Sequence, residues 1–423
     1  MKSGFLCSVD PKVSKLSQRN IVHDETLGKR KYRLDDFEFE RNIGSGNFCE
    51  VWHVTLKARP EESYALKVFN VQTVKSNHYV KSVQQERLAM IRLNTPGHTN
   101  VIRLIDTFKD DAHVYLLYEY ASGGELWDEI KHVGVPDKAT ARMLVWQLVN
   151  GLEYIHGHGV VHRDIKCENI VIHNGMLKFI DFGTSLFLDD GQCDTSNEAH
   201  ENEYRNNPSS INLETSGTAD MVLPGSRMKS KFENYVGTPN FMPPEAIANI
   251  NSGKAGDLWS LGCTIYQLLL GMNCYIGSSN YFIHKNVKHN RPAFPDGFDP
   301  DAKDLIEKLL VKDSHERLSL MDIRQHKYLA SVPNQSFTVV PKKFDNLSVE
   351  IRRACCKIQE SIFDLTIKRE KVTDADYQSI EELLKWMEQH APPAITSALQ
   401  FNYYRMREQL TVEIDEANLY MRS

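Results

Sequence analysis

The chain has 423 residues, with 50 Lys plus Arg against 56 Asp plus Glu for a net charge of −6. That length leaves room for two or three domains and an ample core. The slightly acidic balance excludes general nucleic-acid binding, which needs clustered positive charge against phosphates. Cys7, Cys49, Cys167, Cys193, Cys263, Cys274, Cys355 and Cys356 show neither C-x-x-C nor zinc spacing, so reduced thiols are expected. Met1 to Leu6 lacks the apolar core of a signal peptide, and Lys2 rules out the N-myristoyl pattern. The most apolar stretch, Leu258 to Ile276, holds Ser260, Gln267 and Asn273 and reads as a buried central helix, not a membrane span. A cytoplasmic protein with nuclear access left open is the expectation.

In chain order, residues 1–36 are polar and read as a flexible tail ending in Lys29-Arg30-Lys31-Tyr32-Arg33. Residues 37–120 alternate as strands do, with one helix suggested by Val80, Val83, Leu88, Met90 and Ile91. Within them, Ile43-Gly44-Ser45-Gly46-Asn47-Phe48-Cys49-Glu50-Val51 is a turn whose glycines let backbone approach an anion. Taken alone, G-x-G fits an ordinary β-turn equally well. Tyr64-Ala65-Leu66-Lys67 follows as a strand, and Glu86 comes 86 − 67 = 19 residues later on the helix. Val114 to Ala121 reads as a buried strand running into a linker. Residues 121–330 carry helical periods, as at Ala139 to His156 and Pro300 to Leu310.

The most informative run is His162-Arg163-Asp164-Ile165-Lys166-Cys167-Glu168-Asn169, followed by Asp181-Phe182-Gly183. It resembles H-R-D-x-x-x-x-N plus D-F-G, the two segments with which protein kinases hold magnesium and the accepting hydroxyl. The resemblance implies an α+β, bilobal protein kinase fold over residues 37–330, with a small β-rich N-lobe (37–120) and a large helical C-lobe (121–330). It implies ATP and Mg2+ as cofactors. Asp164 would orient the hydroxyl, Lys166 would contact the transferred phosphoryl, and Asn169 and Asp181 would ligate the metal. Lys67 would grip the α- and β-phosphates, paired with Glu86. Residues Ile43 to Phe48 would cover the phosphates, while Val51 and Ala65 line the adenine. Main-chain groups of Glu119 and Ala121 would bind the adenine edge, Tyr118 would guard the back of the pocket, Glu125 would reach the ribose, and Glu168 would lie beside the nucleotide.

From Asp181 to Glu245 is 245 − 181 = 64 residues, more than a kinase usually needs. Asp189 to Ser230 has eight acidic residues against three basic ones and few apolar ones, so a disordered insertion in the activation segment is expected at about 189–230. Tyr235 to Glu245 fits a platform for the substrate peptide. There Thr238 would hydrogen-bond Asp164 and Lys166, a serine/threonine pattern. Glu245 should pair with Arg317 in the interior, and Asp257 should brace the catalytic loop.

Within the kinases the chain is similar to the 3-phosphoinositide-dependent protein kinases of the AGC group. The similarity rests on Asp181-Phe182-Gly183-Thr184, Tyr235-Val236-Gly237-Thr238, Asp257 to Leu268 and Ala302 to Val311. It implies phosphorylation of the activation segments of other AGC kinases, recruited beside the αC helix by a hydrophobic, often phosphorylated motif. The docking wall would include Val74, Val80, Val83 and Val114, with Lys31, Arg87, Thr107 and Lys109 near the phosphate. The family's activation-segment serine falls at Asn234, so Arg163 would lack its phosphate partner; either activation needs no phosphate, or the neighbouring Glu233 or a nearby hydroxyl takes its place.

Residues 331–423 do not read as a pleckstrin-homology domain. Leu347, Ile351, Cys355, Ile358, Ile362 and Leu365, then Tyr377, Ile380, Leu384 and Met387, then Ile395, Leu399, Met406 and Leu410 recur with helical spacing. A helical C-terminal extension with no phosphoinositide binding is expected. Two other readings stand beside an active enzyme of this type: a pseudokinase scaffold, and a serine/threonine kinase of another group.

Overall fold

The computed structural model describes residues 22–23, 32–46, 49–77, 79–188, 234–330, 332, 348–368 and 371–422. The expected insertion at 189–230, Lys31, Asn47, Phe48 and Glu233 lie outside the described residues. The chain divides into two compact units, one of residues 1–121, 181–183 and 187–226, the other of residues 122–180, 184–186 and 227–423.

The first unit is built on an antiparallel sheet. Its strands are β1 (Val22–His23), β2 (Phe37–Ser45), β3 (Cys49–Leu56), β4 (Arg59–Asn70), β5 (Leu104–Lys109) and β6 (His113–Glu119), in the order β1-β5-β6-β4-β3-β2. β-Branched and aromatic residues at alternate positions give each strand an apolar face. One core forms where Phe37, Val54, Leu56, Tyr64, Leu66, Phe108, Tyr115 and Leu117 meet. Tyr32 and Leu34 join that core. The Tyr32 N–H donates to Asp106 Oδ2 at 3.0 Å, so packing begins inside the segment expected to be tail. Those two apolar side chains flank Arg33 without the periodicity that would mark an element, and only a partner surface shows their burial. Helix α1 (Val71–Ser76) is capped by Asn70, whose Oδ1 accepts from the Thr73 N–H, and α2 (Val80–Leu93) carries Glu86.

The second unit is helical. Its first helices are α3 (Leu126–Val133) and α4 (Lys138–Gly157); the Asp137 carboxylate accepts from the Ala139 and Thr140 N–H groups to start α4. Strands β7 (Ile170–His173) and β8 (Met176–Phe179) form a hairpin over Asn174-Gly175, whose φ values of 50° and 76° match the twist of a two-residue turn. Helix α5 (Gly253–Leu270) is buried along almost its whole length, as the apolar run predicts, but it ends at Gly271 with φ 69°, short of Ile276. Helices α6 (Asn280–His289) and α7 (Pro300–Leu309) follow, before a short helix over Leu320–Gln325.

The C-terminal extension consists of α8 (Val349–Lys368), α9 (Asp374–His390) and α10 (Pro393–Arg422). No strand occurs among its described residues. Of the set that the helical spacing selects, Ile351, Cys355, Ile358, Ile362, Leu365, Ile380, Leu384, Met387, Ile395, Leu399, Met406 and Leu410 are buried and Tyr377 is half-buried, while Leu347 lies outside the described residues. The extension packs on α5 through polar groups that complete the end of that helix. Asn402 Nδ2 donates to the Leu270 carbonyl at 2.7 Å, and Arg405 donates to Tyr266 Oη at 2.8 Å and to the carbonyls of Asn273 and Cys274. Glu413 accepts from the Ser278 N–H at 3.2 Å. Helix C-terminal carbonyls have no partner within the helix, so the extension supplies what α5 lacks. No described helix is long and apolar enough to cross a membrane.

If the extension is an integral layer of this unit, Asn402→Leu should strand the buried Leu270 carbonyl and lower unfolding free energy by about 1–3 kcal/mol. Tyr404→Ala, at a side chain 56% exposed two residues away, should change it by less than about 0.5 kcal/mol. Denaturant midpoints of the full chain would show this; equal midpoints for the two variants would mean that the extension does not stabilise the unit.

Candidate active site

In the first unit, Lys67 lies on β4 opposite Val51 of β3 and Leu116 of β6. Its ammonium donates to Glu86 Oε1 at 2.7 Å and Oε2 at 2.8 Å, and lies 3.2 Å from Asp181 Oδ1. Glu86 is buried on α2 and also accepts from Tyr118 Oη at 2.9 Å. Burial by itself would lower the pKa of the Lys67 ammonium. The Asp181 and Glu86 carboxylates outweigh it and hold the pKa above the ordinary lysine value. Tyr118 therefore does more than wall a pocket, since it fixes the carboxylate that fixes Lys67.

Asp181 has φ 63°, a left-handed conformation costly for a residue with a side chain. The segment is held by Gly183, whose carbonyl accepts from Ser82 Oγ of α2 at 2.7 Å. A Cβ at Gly183 would come within 2.9 Å of that hydroxyl, so glycine permits the close approach.

The hairpin between β2 and β3 closes with the Gly46 N–H donating to the Cys49 carbonyl at 2.9 Å. Gly44 faces Val51, and its N–H donates to Asn42 Oδ1 at 3.1 Å. Ile43 and Ser45 are at the surface or close to it. Ala65 pairs with His53 and Tyr118 in the sheet. The Glu119 N–H already donates to the Arg103 carbonyl at 3.0 Å, which takes that donor out of an adenine-edge role. Ala121, the last residue of the first part of this unit, is half-buried.

In the second unit a different group converges. Asp164 Oδ1 accepts from the Thr238 N–H at 2.9 Å and from Thr238 Oγ1 at 2.7 Å, while Oδ2 accepts from Asn169 Nδ2 at 2.8 Å. The Lys166 ammonium lies 3.0 Å from Oδ2 and donates to Thr238 Oγ1 at 2.6 Å. The loop that carries these residues is organised by Asp257, fully buried on α5. Its carboxylate accepts from the main-chain N–H groups of His162 and Arg163, each at 2.8 Å, and pairs with His156 Nε2 at 2.8 Å. Burial opposes its charge, yet these donors hold its carboxyl below the usual carboxylate range. Glu245 and Arg317 form a bidentate pair at 2.6 and 2.8 Å, with the Arg317 guanidinium fully buried.

Glu125 precedes α3 and Glu168 lies in the loop before β7; burial pushes both carboxyls up, helped by the Asp128 and Glu168 charges at Glu125 and by the Asp164 charge at Glu168. Gln267 Nε2 reaches Glu168 at 3.4 Å. Of the expected docking residues, Val74, Val83, Val114 and Thr107 are buried in the first unit, leaving Val80, Arg87 and Lys109 nearer the surface. Thr107, opposite Leu116 in the pairing of β5 with β6, is fully buried, so its hydroxyl does not face solvent. Burial lowers the Lys109 ammonium, and Lys75 lowers it further. Lys75 escaped the sequence reading because nothing in its local pattern separates it from a solvated helix lysine.

Each unit by itself presents an oxygen of the kind a hard cation takes. The Asp181 carboxylate is 47% exposed, and Asn169 gives its amide nitrogen to Asp164 while its Oδ1 has no hydrogen-bond partner among the described residues.

The protein kinase domain model matches residues 37–329. Human 3-phosphoinositide-dependent protein kinase 1 is 32% identical over 305 residues, 72% of this chain and 48% of its own length. The Saccharomyces cerevisiae serine/threonine-protein kinase PKH1 is 29% identical over 85% of this chain and 43% of its own length. The Arabidopsis thaliana 3-phosphoinositide-dependent protein kinase 1 is 31% identical over 68% of this chain and 53% of its own length. The chain thus spans about half the length of these curated relatives. With the paired Lys67 and Glu86 in one unit and the Asp164 cluster in the other, the chain belongs to the protein kinase family, and within it to the serine/threonine kinases of the 3-phosphoinositide-dependent type.

Proposed function

We propose that this chain is an ATP-dependent serine/threonine protein kinase that phosphorylates the activation segments of other AGC kinases. The observation that carries the reading is the Asp164 carboxylate, with both oxygens engaged by Thr238, Asn169 and Lys166. Held in this way, it presents one orientation to an incoming hydroxyl and can accept its proton. Lys166, beside it, meets the charge of the transferred phosphoryl. The Thr238 hydroxyl, bridging Asp164 and Lys166, supports serine or threonine as acceptor. Lys67, kept cationic by Glu86 and Asp181, holds the non-transferred phosphates. Magnesium, when bound, neutralises triphosphate charge, and Asn169 and Asp181 are the residues that would hold it.

The pseudokinase reading is disfavoured by this set, since Lys67, Glu86, Asp164, Asn169 and Asp181 are all of the residue types that the chemistry needs. Asp181→Asn removes a metal carboxylate and little packing. It should lower phosphoryl transfer to a protein substrate by about a hundredfold or more, with the thermal midpoint unchanged. Equal turnover by the variant and the parent would overturn the active-kinase reading.

The finer part of the proposal, capture of substrate kinases beside α2, rests on Val80, Arg87, Lys109 and the neighbouring Lys75. Lys75 and Lys109 repel one another, so an anion there relieves a cost already present. A peptide substrate joined to an acidic or phosphorylated hydrophobic motif should be phosphorylated with a KM about tenfold lower than the same peptide without it. Lys109→Ala with Lys75→Ala should erase the difference. An identical KM for the two peptides would place the chain among serine/threonine kinases without this docking mode.

A further inference from the structure

Asn234 is the first described residue after the long acidic segment, and it is tied down twice to one partner. Its main-chain N–H donates to Asn249 Oδ1 at 3.0 Å, and its Nδ2 donates to the Asn249 carbonyl at 3.1 Å. The partner is itself fixed. Asn249 has φ 60°, a conformation that asparagine tolerates better than most residues, and its N–H donates to the Ala246 carbonyl at 2.9 Å. The next residue, Ile250, donates its N–H to the Glu245 carbonyl at 2.9 Å, and Glu245 is the carboxylate locked to the buried Arg317. The clasp therefore adjoins the bidentate ion pair of Glu245 with the buried Arg317.

Four residues after Asn234, Thr238 binds Asp164. Between them the chain passes Gly237 at φ 108°, where a Cβ would come within 2.7 Å of the Arg163 carbonyl. The path from Asn234 to Thr238 is thus short and constrained at Gly237. Arg163 meanwhile is engaged elsewhere. Its Nε donates to the Thr184 carbonyl at 2.5 Å and its Nη2 to the Ser185 carbonyl at 3.3 Å, which ties the catalytic loop to the residues after Asp181-Phe182-Gly183.

We infer that Asn234 and Asn249 are positioning residues that hold Thr238 at Asp164 without any phosphate on the activation segment, while Arg163 serves as a main-chain clamp. The inference rests on the kinase reading above. It also differs from the expectation that Glu233 takes the place of a phosphate, because a neutral amide pair already anchors this point.

The test uses the full chain, phosphatase-treated and untreated, with Asn234→Ala, Asn249→Ala, the double variant and Glu233→Ala. Phosphatase treatment should leave the activity of the parent chain unchanged. Each asparagine variant should lower kcat/KM for a protein substrate by about ten- to a hundredfold, with the KM for ATP and the thermal midpoint unmoved. The double variant should lose much less than the product of the two single losses, since both residues act through one contact. Glu233→Ala should have the smaller effect. Amide hydrogen exchange across Val236 to Thr238 should quicken in both asparagine variants, and this readout does not depend on turnover. Parent-like kinetics and exchange in the asparagine variants, or silencing of the parent by phosphatase, would overturn the inference. An inactive parent whose variants still quicken exchange would instead reject the kinase reading and keep the clasp.

Discussion

The interaction on which the second unit depends is the buried carboxylate of Asp257. A carboxylate removed from water is costly unless donors surround it. Here two consecutive main-chain N–H groups and a histidine provide them. Satisfying that charge forces His162 and Arg163 into one arrangement, with Arg163 at φ 66°. Everything after them in the loop inherits the geometry: Asp164 turns toward Thr238 and Asn169, and Cys167 donates its N–H to Gln267 of the same helix at 3.0 Å. One helix thus fixes both ends of the loop that carries the acidic residue.

The first unit uses the same economy of charge. Lys67 and Glu86 are both buried, so each is costly alone and tolerable together. Their pairing couples the position of α2 to β4, and Tyr118 on β6 reports to the same carboxylate. Asp181 makes the lysine a shared cation and gives it two anionic neighbours. A group so placed keeps its charge and a fixed position, the two properties required of a phosphate ligand.

The C-terminal extension belongs to the same logic of unsatisfied groups. The carbonyls at the end of α5 face the extension, and Asn402, Arg405 and Gln359 reach them or their neighbours. Gly134, at φ 93°, brings the end of α3 against Ile395, where a Cβ would stand 3.3 Å from that side chain. The helices of the extension therefore cover polar chain ends as well as apolar surface, and they form one layer of the second unit.

Local sequence determined a large part of this. The order and spacing of Lys67, Glu86, Asp164, Asn169 and Asp181 match the pattern of the protein kinase family, so they were legible by that resemblance. The helices of the extension are legible because burial of one face imposes a 3.6-residue period on the sequence. The expected partners Glu245 with Arg317, and Asp257 with the loop, were readable from the resemblance to kinases, and their burial explains why each charge needs its counter-group. Contacts between residues distant in the chain, whose local patterns are ordinary, were decided by tertiary structure alone. Tyr32 and Leu34 look like tail until a sheet offers Asp106 and Tyr64. Thr107 looks accessible until β6 pairs beside it. Asn234 looks like a lost hydroxyl until the fold brings Asn249 to it, because an amide shows its partner only when both chains are in place.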